Sequence, residues 1–195
     1  MSGSAWRKEA RASLVAQRMA VGSEIRRRVV DAVGDVLKAL LQDRRGRGLR
    51  TEIAFYWPIR GEIGLRAAIE PLLAEDVGAA LPFIPGRDCA LQFRRWRPGC
   101  EMVAGVWNIP TPAVDERIVP NVLLVPLVGF DAARHRLGNG GGYYDRTLAA
   151  LPPETLAIGI GFDCLRLPTI HPEPHDVPMS MVVTESTSAC GGQRR

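Results

Sequence analysis

The sequence of 195 residues contains no hydrophobic run long enough to cross a lipid bilayer. Its longest near-apolar stretch, residues 122–130, is less than half of the roughly 20 residues that a spanning helix needs. The first residues also lack the apolar core of a secretory signal, since charged side chains already occur at Arg7, Lys8 and Glu9. These absences exclude a protein anchored by a transmembrane helix and predict a soluble, cytoplasmic one.

Cysteine and histidine are scarce and have no spacing typical of a metal site. The four cysteines, Cys89, Cys100, Cys164 and Cys190, form no Cys-x-x-Cys pair, and the three histidines form no pair at zinc-ligand intervals. Two disulfide bridges would require an oxidising compartment, and nothing in the first residues indicates secretion. We therefore expect reduced cysteines without thiol chemistry, with Cys190 in an exposed tail.

Lysine is nearly absent, because all but two of the 25 basic residues, Lys8 and Lys38, are arginine. One explanation is genomic base composition. The other is recognition of anions, since the planar guanidinium group suits phosphate and carboxylate oxygens. With 21 acidic residues interspersed, the net charge of +4 is too small to predict a nucleic-acid-binding protein.

The composition is typical of one globular domain. Hydrophobic residues make up 46% and charged residues 24% of the chain, which excludes general disorder. Only residues 186–195 are small, polar and glycine-rich, and we predict that they form a disordered tail. The predicted organisation is therefore a single domain at residues 1–185 followed by that tail.

Helical and strand-like patterns alternate along this domain. Apolar spacings of three and four predict helices at residues 6–18, 25–40 (ended by the polar stretch 42–48), 65–73 and 143–151. Apolar, β-branched or aromatic runs predict strands at residues 52–57, 79–84, 90–96, 122–128, 156–162 and 179–184. Strands separated by helices favour an α/β fold with a mostly parallel sheet. Ligands bind such sheets at the carboxyl ends of strands, so we expect the site near the loops after Trp57 and Val128.

The most informative segment is RLGNGGGYYD at residues 136–145. Its closely spaced glycines disfavour helix and strand, permit positive φ and leave backbone N–H groups open to an anion. The helix predicted directly after them adds the partial positive charge of its N-terminus. The segment matches neither the P-loop nor the GxGxxG fingerprint. It predicts either a phosphate cradle or a glycine-rich turn that packs two tyrosines into the core.

Together with other segments, this string resembles the signature of the 5-formyltetrahydrofolate cyclo-ligases, also called methenyltetrahydrofolate synthetases. The matching motifs are VPLVGFD at 125–131, RLGNGGGYYDR at 136–146, YWPIRGEI at 56–63, RPGC at 97–100 ahead of Gly105, PHD at 174–176, and Thr184 with Glu185. The resemblance covers the whole chain except the tail. It implies a three-layer α/β sandwich with a central, mostly parallel sheet.

The resemblance also implies a reaction: closure of 5-formyltetrahydrofolate to 5,10-methenyltetrahydrofolate, with Mg²⁺ and with ATP as co-substrate. Phosphorylation of the formyl oxygen makes the formyl carbon an electrophile with a good leaving group, which N10 then attacks. Such phosphoryl transfer depends on positioning and charge stabilisation. The implied partners are small molecules, reduced formylfolate and ATP. We expect a monomer that binds neither nucleic acid nor membrane.

The same resemblance assigns roles to residues. Arg136, which would neutralise charge on the γ-phosphoryl group, and Tyr144 are the implied catalytic residues, and Asp145 and Asp176 are the implied magnesium ligands. The implied ATP site comprises Arg7, Arg11, Arg136, Leu137, Gly138, Asn139, Gly140, Gly141, Gly142, Tyr143 and Tyr144. The implied folate site comprises Trp57, Glu62, Asn139, Gly140, Gly141, Gly142 and Tyr143.

Several of these residues have a structural explanation when the resemblance is set aside. Arg7 and Arg11 could form a solvated helix face. Asp145 could be a favourable charge in a first helical turn, and Glu62 could open the helix predicted after it. Asp176 could close an Asx turn.

Two alternatives to the cyclo-ligase hypothesis follow from the sequence. Asn108 and Thr111 stand where the family commonly has a glycine and an acidic residue. A paralogue that uses ATP and Mg²⁺ on another formylated or carboxylated substrate is therefore one alternative. The other is a non-catalytic nucleotide- or RNA-binding regulator with a basic patch from the arginines at 26–28 and 44–50. The joint retention of four residues favours the enzyme, because a protein that only binds would not require them: Arg136, Asp145, Glu62 and Asp176.

Overall fold

The computed structural model of the protein describes residues 3–75 and 77–188. The α-helices are α1 (Gly3–Ala20), α2 (Ser23–Gly46), α3 (Arg66–Ile69) and α4 (Tyr143–Ala150). The strands are β1 (Glu52–Ala54), β2 (Gly78–Phe83), β3 (Gln92–Arg95), β4 (Met102–Ala104), β5 (Pro110–Pro112), β6 (Arg117–Ile118), β7 (Val122–Pro126), β8 (Gly129–Phe130), β9 (Arg136–Leu137), β10 (Leu156–Ile160) and β11 (Met181–Val183). Short 3₁₀ helices lie at Glu70–Glu75, Val106–Asn108 and Asp163–Leu165.

Seven strands form one sheet in the order β11-β10-β7-β1-β2-β3-β6. Neighbours from β11 to β2 are parallel, whereas β3 and β6 add an antiparallel edge. Every residue of β7 is buried, as expected of a continuous apolar strand covered on both faces. The predicted α/β fold with a mostly parallel central sheet is confirmed.

The two faces of the sheet bury separate sets of side chains. In β7, Val122 and Leu124 belong to the cluster that includes Leu14 of α1 and residues of α2. Leu123 and Val125 belong to a second cluster, against which residues of α4 pack. This alternation follows from the two-residue side-chain period of a strand. Helices therefore cover both faces, which gives the three layers that the family resemblance implies.

Three predicted element boundaries were wrong. Helix α2 continues through the polar stretch expected to end it, because Gln42, Asp43 and the arginines after them lie on its solvent side while Leu41 is buried. The strand predicted at 52–57 pairs with its neighbours only over Glu52–Ala54. The helix predicted at 65–73 is a four-residue α-helix that tightens into the 3₁₀ helix Glu70–Glu75.

The sequence patterns missed β6 and two small hairpins, β4–β5 and β8–β9. These strands are two or three residues long, too short for periodicity to register. Strand β5 also contains Pro110 and Pro112, which argue against a strand in a sequence pattern.

The remaining predictions about the chain concern membrane-spanning helices, the cysteines and the C-terminal tail. Within the described ranges, no helix has the length and apolar character needed to cross a membrane. Cys89, Cys100 and Cys164 are free thiols. Cys190 and residues 189–195 of the predicted tail lie outside the described residues.

Candidate active site

A cavity of about 990 Å³ opens at the carboxyl ends of β1 and β7. Its wall contains every residue that the family resemblance assigns to a site, except Leu137. The side chain of Leu137 is 1% exposed and belongs to the hydrophobic core. Its side chain therefore has a packing role in β9, and its assignment to the ATP site stays a prediction that concerns its backbone. The other assigned residues, which are spread from α1 to the segment before β11, are brought together by the fold.

The glycine loop runs from β9 to the start of α4. Left-handed backbone conformations occur at Gly140 (φ 93°) and at Gly142 (φ 65°), which directly precedes the helix. Gly141 has no such conformation, but a β-carbon there would lie 2.9 Å from Cδ2 of Tyr143. The glycines therefore serve both positive φ and close packing. Arg11 Nε donates to the carbonyl of Gly138 over 2.9 Å, which fastens the loop to α1.

Two buried arginines of the cavity wall retain N–H groups without an acceptor. Arg136 donates from Nη2 to Oδ1 of Asp145 over 2.7 Å, and Arg7 donates from Nη2 to Oδ2 of Asp176. Nε of each arginine is buried and has no hydrogen-bond partner among the described residues. Leaving a buried donor unsatisfied is costly. Both guanidinium groups line the cavity, and their positive charges favour the binding of an anion such as a phosphate chain there.

Arg7 and Arg11 lie one helical turn apart on α1 and face the same cavity. Arg7 is 8% exposed, so the alternative of a solvated helix face is wrong for this residue. Burial, and then the neighbouring positive charge of Arg7, lower the pKa of Arg11. Two like charges held together in this way favour the binding of an anion between or beside them.

Asp145 and Asp176 line the cavity, and each accepts a hydrogen bond from an arginine. Burial opposes ionisation of Asp176, but hydrogen bonds from Arg7 and from the backbone N–H of Glu173 outweigh it and lower its pKa. No cluster of three or more candidate metal-ligating side chains occurs in the described part of the chain. Mg²⁺ commonly uses one or two carboxylates and completes its coordination with phosphate oxygens and water. The two aspartates fit an ion that accompanies phosphates.

Glu62 is 8% exposed and sits in the loop after β1. Its Oε2 accepts the backbone N–H of Ile59 over 3.0 Å, and its Oε1 accepts Nδ2 of Asn139 from the glycine loop over 3.3 Å. Burial raises the pKa of Glu62, against the opposing effects of the Ile59 N–H and of Arg18. The helix α3 begins only at Arg66, so Glu62 does not open it. The alternative explanation of this residue was therefore wrong.

The aromatic side chains of the cavity come from four segments, the loop after β1, the end of β2, the 3₁₀ helix at Val106–Asn108 and α4. Trp57 lies in the wall beside Glu62, and the Tyr144 ring centroid lies 5.6 Å from the guanidinium carbon of Arg136. Burial and the charge of Glu62 raise the pKa of Tyr144 far above its ordinary value, so this phenol keeps its proton at neutral pH. The Trp107 ring, 68% exposed, meets Tyr143 edge-on at 5.8 Å between centroids. Tyr143 and Tyr144 are therefore partly in the core and partly in the cavity wall.

Sequence reasoning assigned no role to Arg18 and Thr111 at the site. Arg18 is 1% exposed and approaches Glu62 to 3.6 Å. The one sequence signal for it is its spacing, because positions 7, 11 and 18 fall on the same side of the helix predicted at 6–18. Thr111 is 5% exposed in the cavity wall, and its hydroxyl has no partner among the described residues. That position was noted only as a departure from the family pattern.

Comparisons with known proteins show which family this chain is similar to. A model of the 5-formyltetrahydrofolate cyclo-ligase family matches residues 3–185. A 5-formyltetrahydrofolate cyclo-ligase of Haemophilus influenzae is 31% identical over 147 residues, which cover 72% of this chain and 76% of that protein. One of Mycolicibacterium smegmatis is 31% identical over 183 residues, 89% and 91% of the two chains. The NMR structure of Aquifex aeolicus 5,10-methenyltetrahydrofolate synthetase has a TM-score of 0.76 at 28% identity, covering 93% of this chain and 90% of that one.

Proposed function

The chain belongs to the 5-formyltetrahydrofolate cyclo-ligase family, and we propose that it closes 5-formyltetrahydrofolate to 5,10-methenyltetrahydrofolate while ATP is converted to ADP and phosphate. The observation that carries the proposal is the hydrogen bond from Asn139 to Glu62. It joins the proposed phosphate-binding loop to the proposed pterin-binding carboxylate. A phosphoryl transfer from ATP to a group on the pterin ring requires this adjacency.

On the folate side, Glu62 and Trp57 recognise the pterin. Each carboxylate oxygen of Glu62 already accepts one protein N–H and can accept another. The ring N–H and amino group of a pterin offer two donors in the matching arrangement. The indole of Trp57 supplies a flat apolar wall beside them.

On the phosphate side, Arg7, Arg11 and Arg136 meet the triphosphate together with the glycine loop. The guanidinium groups of Arg7 and Arg136 line the cavity and are held in place by Asp176 and Asp145, so their positive charges are fixed before the phosphates bind. Arg136 neutralises charge that develops on the transferred phosphoryl group. The protonated phenol of Tyr144 beside it can donate a hydrogen bond to the same region.

The reaction has two steps. The formyl oxygen on N5 attacks the γ-phosphorus and the bond to ADP breaks, which leaves the oxygen phosphorylated and the formyl carbon electrophilic. N10 then attacks that carbon, loses its proton, and the C–O bond breaks with release of phosphate. Ring closure thus forms one C–N bond at the expense of one phosphoanhydride bond. The protein contributes positioning, charge stabilisation and exclusion of water.

Asp145 and Asp176 are the residues that would hold Mg²⁺. When bound, the ion would neutralise part of the phosphate charge. Their location in the wall that also contains the three arginines supports this assignment.

One observation favours the paralogue as a second candidate. The hydroxyl of Thr111 is buried in the cavity wall without a partner, and the family commonly has an acidic residue there. The RNA-binding alternative is less well supported. Arg26, Arg28 and Arg44, which were expected in a basic patch, donate to backbone carbonyls of the protein itself.

A spectrophotometric assay tests the proposal. Purified protein with ATP, Mg²⁺ and 5-formyltetrahydrofolate should generate the methenyl chromophore, with stoichiometric release of ADP. Omission of ATP is the matched control and should abolish the signal. Absence of turnover at high enzyme concentration, with ATP binding intact, would instead favour the paralogue.

A further inference from the structure

Arg18 connects three segments at the folate side of the cavity. Its Nε donates to the carbonyl of Arg60 over 3.1 Å, and its Nη1 donates to the carbonyl of Leu127, just beyond β7, over 3.0 Å. The same Nη1 lies 3.6 Å from Oε1 of Glu62. At 1% exposure, Arg18 is among the most deeply buried side chains in the described part of the chain. A charged group is kept in such a place only when its partners compensate for lost hydration.

The loop that Arg18 holds is strained. Arg60 and Gly61 have successive left-handed conformations, with φ of 46° and 77°, and the first of these is unfavourable for a residue with a β-carbon. Arg26 of α2 assists by donating from Nη1 to the carbonyl of Gly61 over 2.8 Å. Two arginines from two helices therefore fix the turn immediately before Glu62.

The two arginines differ in what else they contact. Arg26 donates its other hydrogen bonds to the carbonyls of Val21 and Arg18. Arg18 faces the carboxylate of Glu62. Arg26 is thus a natural control: it supports the same loop from the other side and forms no described ion pair with Glu62.

The charged and titratable groups around Glu62 come from α1, from the loop after β1 and from α4. Arg18 approaches from α1, Arg60 belongs to the same loop, Tyr56 follows β1, and Tyr144 belongs to α4. Asn139 of the glycine loop adds an amide donor. Arg60 is exposed to solvent and both tyrosines are neutral at physiological pH. Arg18 is therefore the buried cation that stabilises the ionised carboxylate.

We propose that Arg18 is a positioning residue for substrate recognition, which holds Glu62 ionised and aimed into the cavity so that it can bind paired N–H donors of a heterocyclic ligand. The identity of that ligand as the pterin of a reduced folate rests on the proposed function. Arg18 itself makes no contact with substrate in this account. It acts through the charge and the orientation of Glu62.

The direction of the pKa of Glu62 agrees with this geometry. Burial raises it, and Arg18 opposes the increase. Removal of the guanidinium charge should raise the pKa further and bring protonation of Glu62 into the working pH range. A protonated carboxyl group has lost part of its acceptor capacity. Folate binding should then weaken as the pH falls, whereas ATP binding should not follow.

The test compares Arg18→Met, Arg18→Lys and Arg26→Met with the wild-type enzyme. For each, kcat and KM for 5-formyltetrahydrofolate and for ATP are measured between about pH 5.5 and pH 9. In Arg18→Met, kcat/KM for folate should fall about tenfold per pH unit below a shifted pKa, with KM for ATP close to wild type at every pH. Arg18→Lys should restore the wild-type profile in part, because it keeps the charge. Arg26→Met should lower thermal stability without moving the profile.

A superimposable pH profile in wild type and Arg18→Met would overturn the proposal and leave Arg18 a structural residue. Arg18→Gln, which keeps N–H donors but removes the charge, replaces Arg18→Met if the latter fails to fold. The Glu62 carboxylate is also titrated by carbon-13 NMR in ligand-free wild type and variant. An unchanged Glu62 pKa refutes the proposal without any assumption about substrate. A raised pKa in an enzyme inactive on formylfolate would support Arg18 and refute only the proposed reaction.

Discussion

Replacement of Asp145 and Asp176 by asparagine distinguishes two roles that these carboxylates can have. Asp145 lies in the first turn of α4 and pairs with Arg136. Asp176 accepts the backbone N–H of Glu173 and pairs with Arg7. The position of Asp145 agrees with its structural explanation, whereas Asp176 accepts the N–H of the residue three positions before it and forms no Asx turn with Pro178, which has no N–H. That Asp145 and Asp176 bind magnesium is a prediction, and the two substitutions test it.

The expected effect on the metal is large. A carboxylate and a doubly charged Mg²⁺ about 4 Å apart interact by roughly 8 kcal/mol at an effective dielectric constant near 20. If exchange with water offsets three quarters of that, about 2 kcal/mol is lost, which corresponds to a roughly 30-fold higher half-saturating Mg²⁺ concentration. The rate at saturating metal should also fall, because transition-state charge is less well neutralised. The double variant should be little worse than the worse single one.

Binding of ATP in the absence of metal separates the ligand role from the arginine-positioning role. Each asparagine removes a negative charge from the cavity and leaves Arg136 or Arg7 unneutralised. Affinity for metal-free ATP should therefore stay the same or increase. If the aspartates serve only to orient the arginines, that affinity should decrease instead.

The measurement is a Mg²⁺ titration of the steady-state rate at fixed ATP for wild type, both single variants and the double variant. Asp131→Asn is the matched control. Asp131 is a buried carboxylate outside the cavity wall, and it accepts the backbone N–H groups of His135 and Ile170. That variant should lose thermal stability and keep its Mg²⁺ requirement. A wild-type Mg²⁺ dependence in both single variants would refute the two-carboxylate site.

Three further predictions concern Glu62, the proposed pterin-binding residue, and the glycine loop. Glu62→Gln should weaken folate binding by roughly 10- to 150-fold, because it loses a charge-assisted hydrogen bond worth about 1.5–3 kcal/mol. Calorimetry should show a much smaller loss of affinity for ATP. Equal losses for the two ligands would indicate a misfolded loop. Because the folded-state pKa of Glu62 is raised, its contribution to stability is present at acid pH and is lost as the pH rises through that pKa. Denaturant unfolding should accordingly show wild-type stability declining relative to Glu62→Gln over that range, and parallel curves would contradict the raised pKa. Gly141→Val should abolish turnover in a folded protein, because the new β-carbon would lie 2.9 Å from Cδ2 of Tyr143. If calorimetry showed an unchanged affinity for ATP, the loop would have a structural role only.

The sequence predicted those features whose cause is local. The continuous apolar run of β7 predicts a strand covered on both faces, and the structure buries all of it. The glycines before Tyr143 predict a loop that opens a helix, and α4 begins there. The sequence did not show which of these glycines need a positive φ, and the structure has one at Gly140 and at Gly142 but not at Gly141. A glycine can be required for space as well as for φ, and the sequence does not distinguish the two.

Features whose cause is distant in the chain could not be predicted. Arg7 pairs with Asp176 across 169 residues of sequence, and Asn139 meets Glu62 across 77. The helix pattern places Arg7, Arg11 and Arg18 on one side of α1 but carries no information about what covers that side. The burial of Arg18 depends on the turn at Arg60 and on the end of β7, which only the tertiary fold brings together.

The charges of the phosphate side explain why its two carboxylates have both a structural and a ligand-binding interpretation. Arg7, Arg11 and Arg136 contribute three positive charges to one cavity wall, and Asp145 and Asp176 offset two of them. Without these partners, the buried guanidinium groups would repel one another and lack acceptors. A polyanion that enters the cavity provides new acceptors for the arginines and so frees the aspartates for a cation that accompanies it. If the proposed magnesium site is correct, the same residues form ion pairs without ligand and bind the metal once ATP is present, and the order in which ATP and metal affect the asparagine variants tests this expectation.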